Sequence, residues 1–579
     1  MSLSYEFGYS NRAALALVAV GILLVLALGP SLQMQDGQQP APLSTRTIAL
    51  ASACTALLCL AFYLLTRRVN GYDESIYLID RIWHVANGQR PYIDFEYAYG
   101  AFFLYAPAAL MRWLRLPIGD AYGLCWILSS VAGVLMLAQV LRWSAPKWPR
   151  ANVIFLILWG SSLPGLLSNG LNYTLLRFVT PCFFGLLALR ILRRDHGSHW
   201  GQTTLVAACG TAVMLVLSPE LAIACAIGSL AFFCWDAFLS DKRRGLPWCA
   251  LLLLLNAALI SLANRLHALD TLKAFSKGGM NFPISLNVYT VLFLAIVTVA
   301  TCYAATRLRQ SSPDSWMMIL AVSFPALPAA LGRCDSLHLW NNTYGIVLVG
   351  LLVLAGYPRI WRLMLPVNLL IIVVLPSLLY LRKQPSNIGK VVILSRLAQE
   401  PIDSSTAFDR WTLKRMTKEL GPEKAKQKLA MYRDLSHTTT FAPDAIFHLA
   451  PGQTVLAPQT YAPSRFGTSH APELYDGYFF GTLNAVTEEE INRKIGELVA
   501  HPDAPLLIMP EQMAPCTVSE PEAQQLMQML FLTHYRASIR HTDAPELRLC
   551  RYIDSHYELA ETATPEQFGY AVWKPRHRS

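Results

Sequence analysis

The sequence predicts a mainly α, polytopic transmembrane helical bundle of about 12 spans, followed by a small C-terminal α/β soluble domain. Three observations predict this. Of the 579 residues, 54% are hydrophobic and only 15% charged, a balance that points to an integral membrane protein. The apolar residues gather into runs long enough to cross a bilayer, which takes about 20 residues in a helix. Beyond residue 384 the pattern changes to short strand-like and helix-like segments, so the expected division is 1–384 and 385–579.

The expected spans are 12–30, 47–66, 119–141, 151–168, 176–192, 203–217, 221–239, 248–263, 284–306, 315–331, 342–356 and 363–380. Span 12–30 lacks a basic leader and a small-residue cleavage site, so it reads as a retained helix and not a signal peptide. Residues 100–114 are apolar but short, and they carry Pro107 and Arg112. They are expected to lie along the interface. With that reading Arg142/Lys147/Arg150, Arg190/Arg193/Arg194, Lys242/Arg243/Arg244, Arg307/Arg309 and Arg359/Arg362 fall on one side. By the positive-inside bias that side is the cytoplasm. The expected location is therefore a multi-pass plasma or inner membrane, with the remaining loops and the C-terminal domain on the far side.

The formal charge of +10 does not indicate nucleic acid. Residues 1–380 hold 26 Lys+Arg against 15 Asp+Glu, and residues 381–579 hold 22 against 23. The excess belongs to the membrane half, where it sets orientation. Ten of the twelve Cys lie in that half and no CxxC occurs, which argues against a zinc or thioredoxin-like site. Cys516 and Cys550 form a disulfide if their region meets an oxidising compartment, and are otherwise two free thiols.

One loop departs from this greasy composition. "GYDESIYLIDRIWHVANGQRPYIDFEYAYG" (71–100) follows a span directly and carries Asp73, Glu74, Asp80, Asp94 and Glu96. Taken as a helix, 73–87 gathers Asp73, Glu74, Tyr77, Asp80, Arg81, His84 and Asn87 within an arc of roughly 140°, with apolar residues opposite. Such a helix lies flat at the membrane surface, its polar face roofing a cavity. Gly88 ends it and Pro91 favours extended chain. Tyr92, Asp94 and Glu96 then alternate with Ile93, Phe95 and Tyr97, supplying acids and ring faces. A charge at the mouth of a span is costly unless it is paired or used. Arg81 is a candidate partner.

The other loops of that side contribute Arg177 in "NYTLLR", Glu220 in "SPE", Lys277, and "GRCDSLHLWNN" with Arg333, Asp335 and His338. Each has a plain alternative: Arg177 snorkelling at a helix head, Glu220 complementing a helix dipole, Lys277 meeting lipid headgroups, and Arg333–Asp335 as a surface pair. His338 has no second His at ligand spacing. In the C-terminal region "GQTVLAP" (452–458), "APLLIMP" (504–510) and "YAVWKPR" (570–576) read as strands. Residues 487–502 and 519–535 read as capped helices. No catalytic motif occurs there.

The Asp73-Glu74 pair after an early span, the amphipathic helix and "GQRPYIDFEYAYG" together resemble the first external loop of C-superfamily glycosyltransferases, a group that includes the protein O-mannosyltransferases and the lipid A aminoarabinose transferase. "LPAALGRCDSLHLWNN" (327–342) is similar to a second loop of bacterial members. The resemblance implies a polyprenyl-phosphate sugar donor and an extracytoplasmic glycan, lipid or protein acceptor. It also implies Asp73 as catalytic base, with Glu74 holding the acceptor or orienting Asp73. Span 12–30 is extra relative to that plan.

The chemistry is consistent with one base. Phosphate leaves as a stable anion, so the acid of a glycosidase pair is not needed. A base must take the acceptor proton, and a cation such as Arg177, Lys277 or Arg333 should meet the growing phosphate charge. A single displacement would invert the sugar. No cofactor is required; Asp73/Glu74 with Asp94/Glu96 offer oxygens for a divalent cation, though none is favoured. The competing classes are a transporter or flippase, which would bind near mid-membrane, and a non-catalytic glycan-assembly protein, which would tolerate loss of Asp73.

Overall fold

The computed structural model describes residues 42–66, 74–93, 97–146, 150–194, 199–273, 288–311, 313–332 and 336–357, save single positions within them. In the C-terminal third it describes 498–508, 545–562, 571–576 and a few isolated positions. Expected spans 12–30 and 363–380, the division at 384, segments 452–458 and 519–535, and Cys516 lie outside the described residues.

The helices run in chain order as α1 (Thr45–Thr66), α2 (Glu74–Ala86), α3 (Phe102–Leu114), α4 (Ile118–Ser144), α5 (Ala151–Asn169), α6 (Leu175–Leu192), α7 (Trp200–Leu217), α8 (Pro219–Ser240), α9 (Lys242–Arg265) and α10 (Val288–Arg309). Then come α11 (Ser315–Ser323), α12 (Leu327–Gly332), α13 (Ser336–Asn342) and α14 (Tyr344–Ala355). Among the described residues, seven segments are long and apolar enough to cross a membrane: Thr45–Leu64, Ile118–Ser144, Gly170–Leu192, Trp200–Leu217, Pro219–Ser240, Arg243–Arg265 and Val291–Arg309. The chain is thus a polytopic membrane protein. Ala151–Leu167, Ser315–Leu331 and Tyr344–Ala355 are shorter apolar helices. At 1.5 Å per residue the twelve residues of α14 reach about 18 Å, less than a hydrocarbon core of about 30 Å. The expected span at 342–356 is carried by α14 continued on its N-terminal side by α13, a run that leads from His338 at one end of the bundle to Ala355 at the other. The segment expected as span 315–331 is interrupted by a 3-10 turn at Phe324–Ala326. Pro325 and Pro328 each remove a backbone donor there.

Helices that follow one another through short turns pack antiparallel, α6 on α7, α7 on α8 and α8 on α9, and across the bundle α4 packs on α6 and α1. Small residues set the closest approaches. A Cβ on Gly228 would stand 2.0 Å from the Ala321 carbonyl oxygen, and one on Gly133 2.3 Å from the Leu176 nitrogen. Without a hydrophobic drive inside lipid, such contacts are how helices associate. The outer faces of α1 and α9 remain apolar and exposed, with Leu57 at 65% and Leu254 at 66%, as lipid-facing surfaces should be.

The loops sort into two ends. At one, Ser44 N donates to Asn152 Oδ1 (2.9 Å), Arg142 to Thr45 Oγ1 (3.1 Å), Arg150 to the Ala355 carbonyl (2.6 Å), Arg193 to the Pro313 carbonyl (2.5 Å) and Trp316 Nε1 to the Ser144 carbonyl (2.9 Å). Every described basic cluster from the sequence reading lies at this end. The acid-bearing loop, the 170–173 turn, the α7–α8 turn and α13 lie at the other.

In the C-terminal third, β1 (Leu506–Ile508), β2 (Tyr557–Glu561) and β3 (Ala571–Pro575) form an antiparallel sheet in the order β1-β3-β2. A bulge between Leu559 and Glu561 shifts the register of β2. Strands β1 and β3 fall where apolar runs placed them. Helix α15 (Pro545–His556) and β2 were not foreseen. Leu506, Ile508, Ile553, Ala571 and Val572 are each fully buried.

Candidate functional site

Helix α2 begins at Glu74, one residue past Asp73, and ends as its sequence requires. Gly88 sits at φ +89°, the left-handed closing residue, and Gln89 N reaches back to the His84 carbonyl at 3.0 Å. Arg81 and His84 were expected on a polar face that roofs a cavity at the water boundary. They are only 2% and 3% exposed, alongside Leu78, Ile82 and Val85. The helix is enclosed by α3, α4, α5 and the 170–173 turn. A helical wheel read against a flat membrane misses this, because a helix sunk in a bundle is covered on its polar side too.

After Gly88 the chain turns at Arg90–Ile93, closed by Ile93 N to the Arg90 carbonyl at 3.3 Å. Pro91 takes the second position and Tyr92 the third, at φ +70°. That position favours Gly, and holding a side chain there costs roughly 1–2 kcal/mol. The Tyr92 hydroxyl donates to the Tyr99 carbonyl at 2.5 Å, pinning the turn to the end of the loop. The rings of Tyr92, Tyr97 and Tyr99 form a chain with centroids 5.9 and 5.8 Å apart. Tyr92→Phe should lower stability by about 1 kcal/mol, the worth of one hydrogen bond, a loss that thermal unfolding in detergent would register.

Tyr99 leads to the centre of this end. The Arg177 guanidinium lies 5.0 Å from the Tyr99 ring and 5.2 Å from that of Phe178. Its Nε donates to Ser218 Oγ (3.1 Å), one terminal nitrogen to Asn172 Oδ1 (2.8 Å), and the other to Glu220 Oε1 (2.6 Å). The Arg177 side chain is 4% exposed and Glu220 18%. Arg177 therefore does not snorkel outward; it is committed to internal acceptors. Glu220 sits in the first turn of α8, where its charge also suits the helix dipole. Beside this pair, Tyr173 Oη and His338 Nε2 are 2.9 Å apart, joining the 170–173 turn to α13.

Close backbone contact fixes the loop further. A Cβ on Gly100 would fall 2.1 Å from the Val216 carbonyl oxygen at the end of α7. Gly100→Ala should therefore cost about 1–3 kcal/mol, as overpacking does, read as a lower melting temperature. Gly170 plays a similar part at φ +60°, with the Tyr122 hydroxyl 2.0 Å from where its Cβ would be. That hydroxyl accepts from Leu171 N at 3.1 Å. Farther out, Asp270 accepts from His267 (2.7 Å) and Lys273 (2.8 Å). Partial burial pushes its carboxyl up, but the two donors outweigh this and hold it below the usual carboxylate range.

The residues picked from sequence thus divide clearly. Tyr92, Tyr97, Arg177, Glu220 and His338 come together at one end, with Arg81 on the adjoining α2. Glu74 and Asp80 lie on α2, but their side chains are outside the described residues. So are Asp73, Asp94, Glu96, Lys277, Arg333 and Asp335. Among the described residues no cluster of three His, Cys, Asp or Glu is placed to hold a metal. Sequence reading missed Tyr99, Gly100 and Ser218 as organisers. The only signals were a Tyr-Gly pair after the acidic strip and a Ser at the N-terminal edge of α8.

No family model matches the chain, and no curated protein matches it. Among solved structures it is similar to ArnT from Cupriavidus metallidurans bound to undecaprenyl phosphate. The identity is 14% and the TM-score 0.41, covering 82% of this chain and 96% of that one. It is likewise similar to the apo state of the same protein, at 13% identity and a TM-score of 0.41, covering 81% and 96%. Likeness at this level transfers no residue roles.

Proposed function

We propose that the chain is a membrane glycosyltransferase of the C-superfamily type, moving a sugar from a polyprenyl-phosphate carrier to an acceptor outside the cytoplasm. Asp73 takes the proton of the acceptor hydroxyl. The hydroxyl oxygen attacks the anomeric carbon as the sugar–phosphate bond breaks, and the carrier phosphate departs as an anion without needing an acid. The sugar is inverted in this single displacement. Lys277 and Arg333 are the cations proposed to meet the phosphate charge. Arg177, committed to Glu220, Asn172 and Ser218, is assigned instead to positioning the 97–100 loop.

The observation that carries this reading is convergence. The loop with the acid-rich motif, the 170–173 turn, the head of α8 and His338 meet at one end of the bundle, opposite the basic loops. A second observation separates it from a transporter. In the described spans every Asp, Glu, Lys and Arg lies within about a turn of a helix end, for example Asp120 and Arg142 on α4, Arg177 and Arg190 on α6, and Glu220 and Asp236 on α8. Transport sites gather polar groups near mid-membrane.

The reading is tested by deleting the coding sequence and comparing surface glycans and lipid intermediates by mass spectrometry. A transferase predicts loss of one sugar from a single class of product and accumulation of that acceptor without it. Unchanged glycans and intermediates would contradict it.

A further inference from the structure

The far end of the bundle holds a cavity of about 430 Å³ that the transferase reading does not use. It lies where the ends of α4, α10, α11 and α14 meet, lined by Pro146, Tyr303, Arg307, Asp314, Trp316 and Tyr357 among others. We propose that it binds the phosphate headgroup of an anionic glycerophospholipid from the leaflet on the basic-loop side.

The wall is built so that one positive group faces the ligand. Asp314 is consumed within the wall. Its Oδ1 accepts from Met317 N at 2.8 Å, capping α11, and its Oδ2 accepts from the Tyr303 hydroxyl and faces Arg307 Nε at 3.2 Å. Arg307 Nε also donates to the Tyr303 oxygen at 3.0 Å, and one terminal nitrogen reaches Gln310 at 3.5 Å. Among the described residues the other terminal nitrogen, Nη2, takes part in none of these bonds. The side chain is held in place yet 36% exposed. A fixed guanidinium with a spare donor is suited to a phosphate oxygen.

The rest of the lining suits a lipid. The Trp316 and Tyr303 rings lie 5.2 Å apart. The indole N–H donates to the Ser144 carbonyl at 2.9 Å, and the ring contributes apolar surface to the lining. Tyr357, Pro146 and Val353 extend that surface. Aromatic side chains at helix ends belong at the headgroup level. The volume is that of a small-ligand pocket, enough for a headgroup and glycerol while acyl chains stay in the membrane. Charge agrees: Arg142, Arg150 and Arg193 bond to neighbouring elements at this end, and Arg243, Arg244 and Arg309 stand at the helix ends of the basic loops. Basic pockets between transmembrane helices on the cytoplasmic side bind such headgroups.

The test is native mass spectrometry of the full-length protein, delipidated in detergent and titrated with phosphatidylglycerol. Arg307→Gln should weaken the first binding event by roughly tenfold, the loss of one charge-assisted contact. Arg309→Gln, outside the cavity lining, should leave it unchanged. Val353→Trp, which fills the cavity without touching the ion pair, should weaken it as well and guards against misfolding of the Arg307 variant. Equal binding by all of these proteins would overturn the proposal. Displacement of the lipid by millimolar inorganic phosphate would overturn it too, reassigning the cavity to a soluble phosphate compound.

Discussion

Asp73→Asn should abolish sugar transfer, lowering the rate by about 10²–10⁴ while the amount of protein in the membrane stays normal. The substitution keeps the size of the side chain and removes only its ability to take a proton. The leaving group is a stable anion and asks for no acid, so the base is the one proton-transfer group this reaction needs. Its loss has no substitute in the proposed scheme. Glu74→Gln, which removes only an orienting group, should cost less. The check is a rate assay in membranes with the polyprenyl-linked donor, alongside mass spectrometry of the accumulated acceptor. Normal product from Asp73→Asn would remove the base assignment and favour a carrier or scaffold role.

Arg177→Leu should be the most destabilising single change at the site end of the bundle. Removing one partner of a buried pair costs about 3–5 kcal/mol, because the other charge stays buried without compensation. Here Glu220 retains 18% exposure, so the lower part of that range is expected. Asn172 and Ser218 also lose their donor, and Tyr99 loses its cation. Combining Arg177→Leu with Glu220→Leu should recover part of the loss, since replacing both partners by apolar groups is often nearly neutral. Thermal unfolding of the purified single and double variants measures this. Additive losses would show that the two side chains do not act as a pair.

How much of this was readable beforehand depended on the range of the interaction. Seven of the expected spans were legible because a bilayer demands long apolar runs, and the sorting of the described loops was legible from their arginines. The start and stop of α2 were legible because Gly88 and Pro91 carry their conformations locally. The ion pair was not. Arg177 and Glu220 are 43 residues apart, and each alone looked like an ordinary helix-end charge. Tyr173 and His338 are 165 apart, with nothing in either segment that names the other. Gly100 reads as a loop glycine until the end of α7 is laid against it. In the C-terminal third β2 was hidden because Glu558 and Glu561 blur its alternation, and it follows α15 without a turn residue.

The proposed transfer requires the acid-bearing loop to face away from the cytoplasm. A thiol placed at Ser75, on the first turn of α2, reports this directly with a membrane-impermeant maleimide in sealed, right-side-out membranes. The prediction is that Ser75→Cys is labelled before the seal is broken and Arg243→Cys only afterwards. The reverse order would leave the proposed transfer on the wrong side of the membrane, and the account with it.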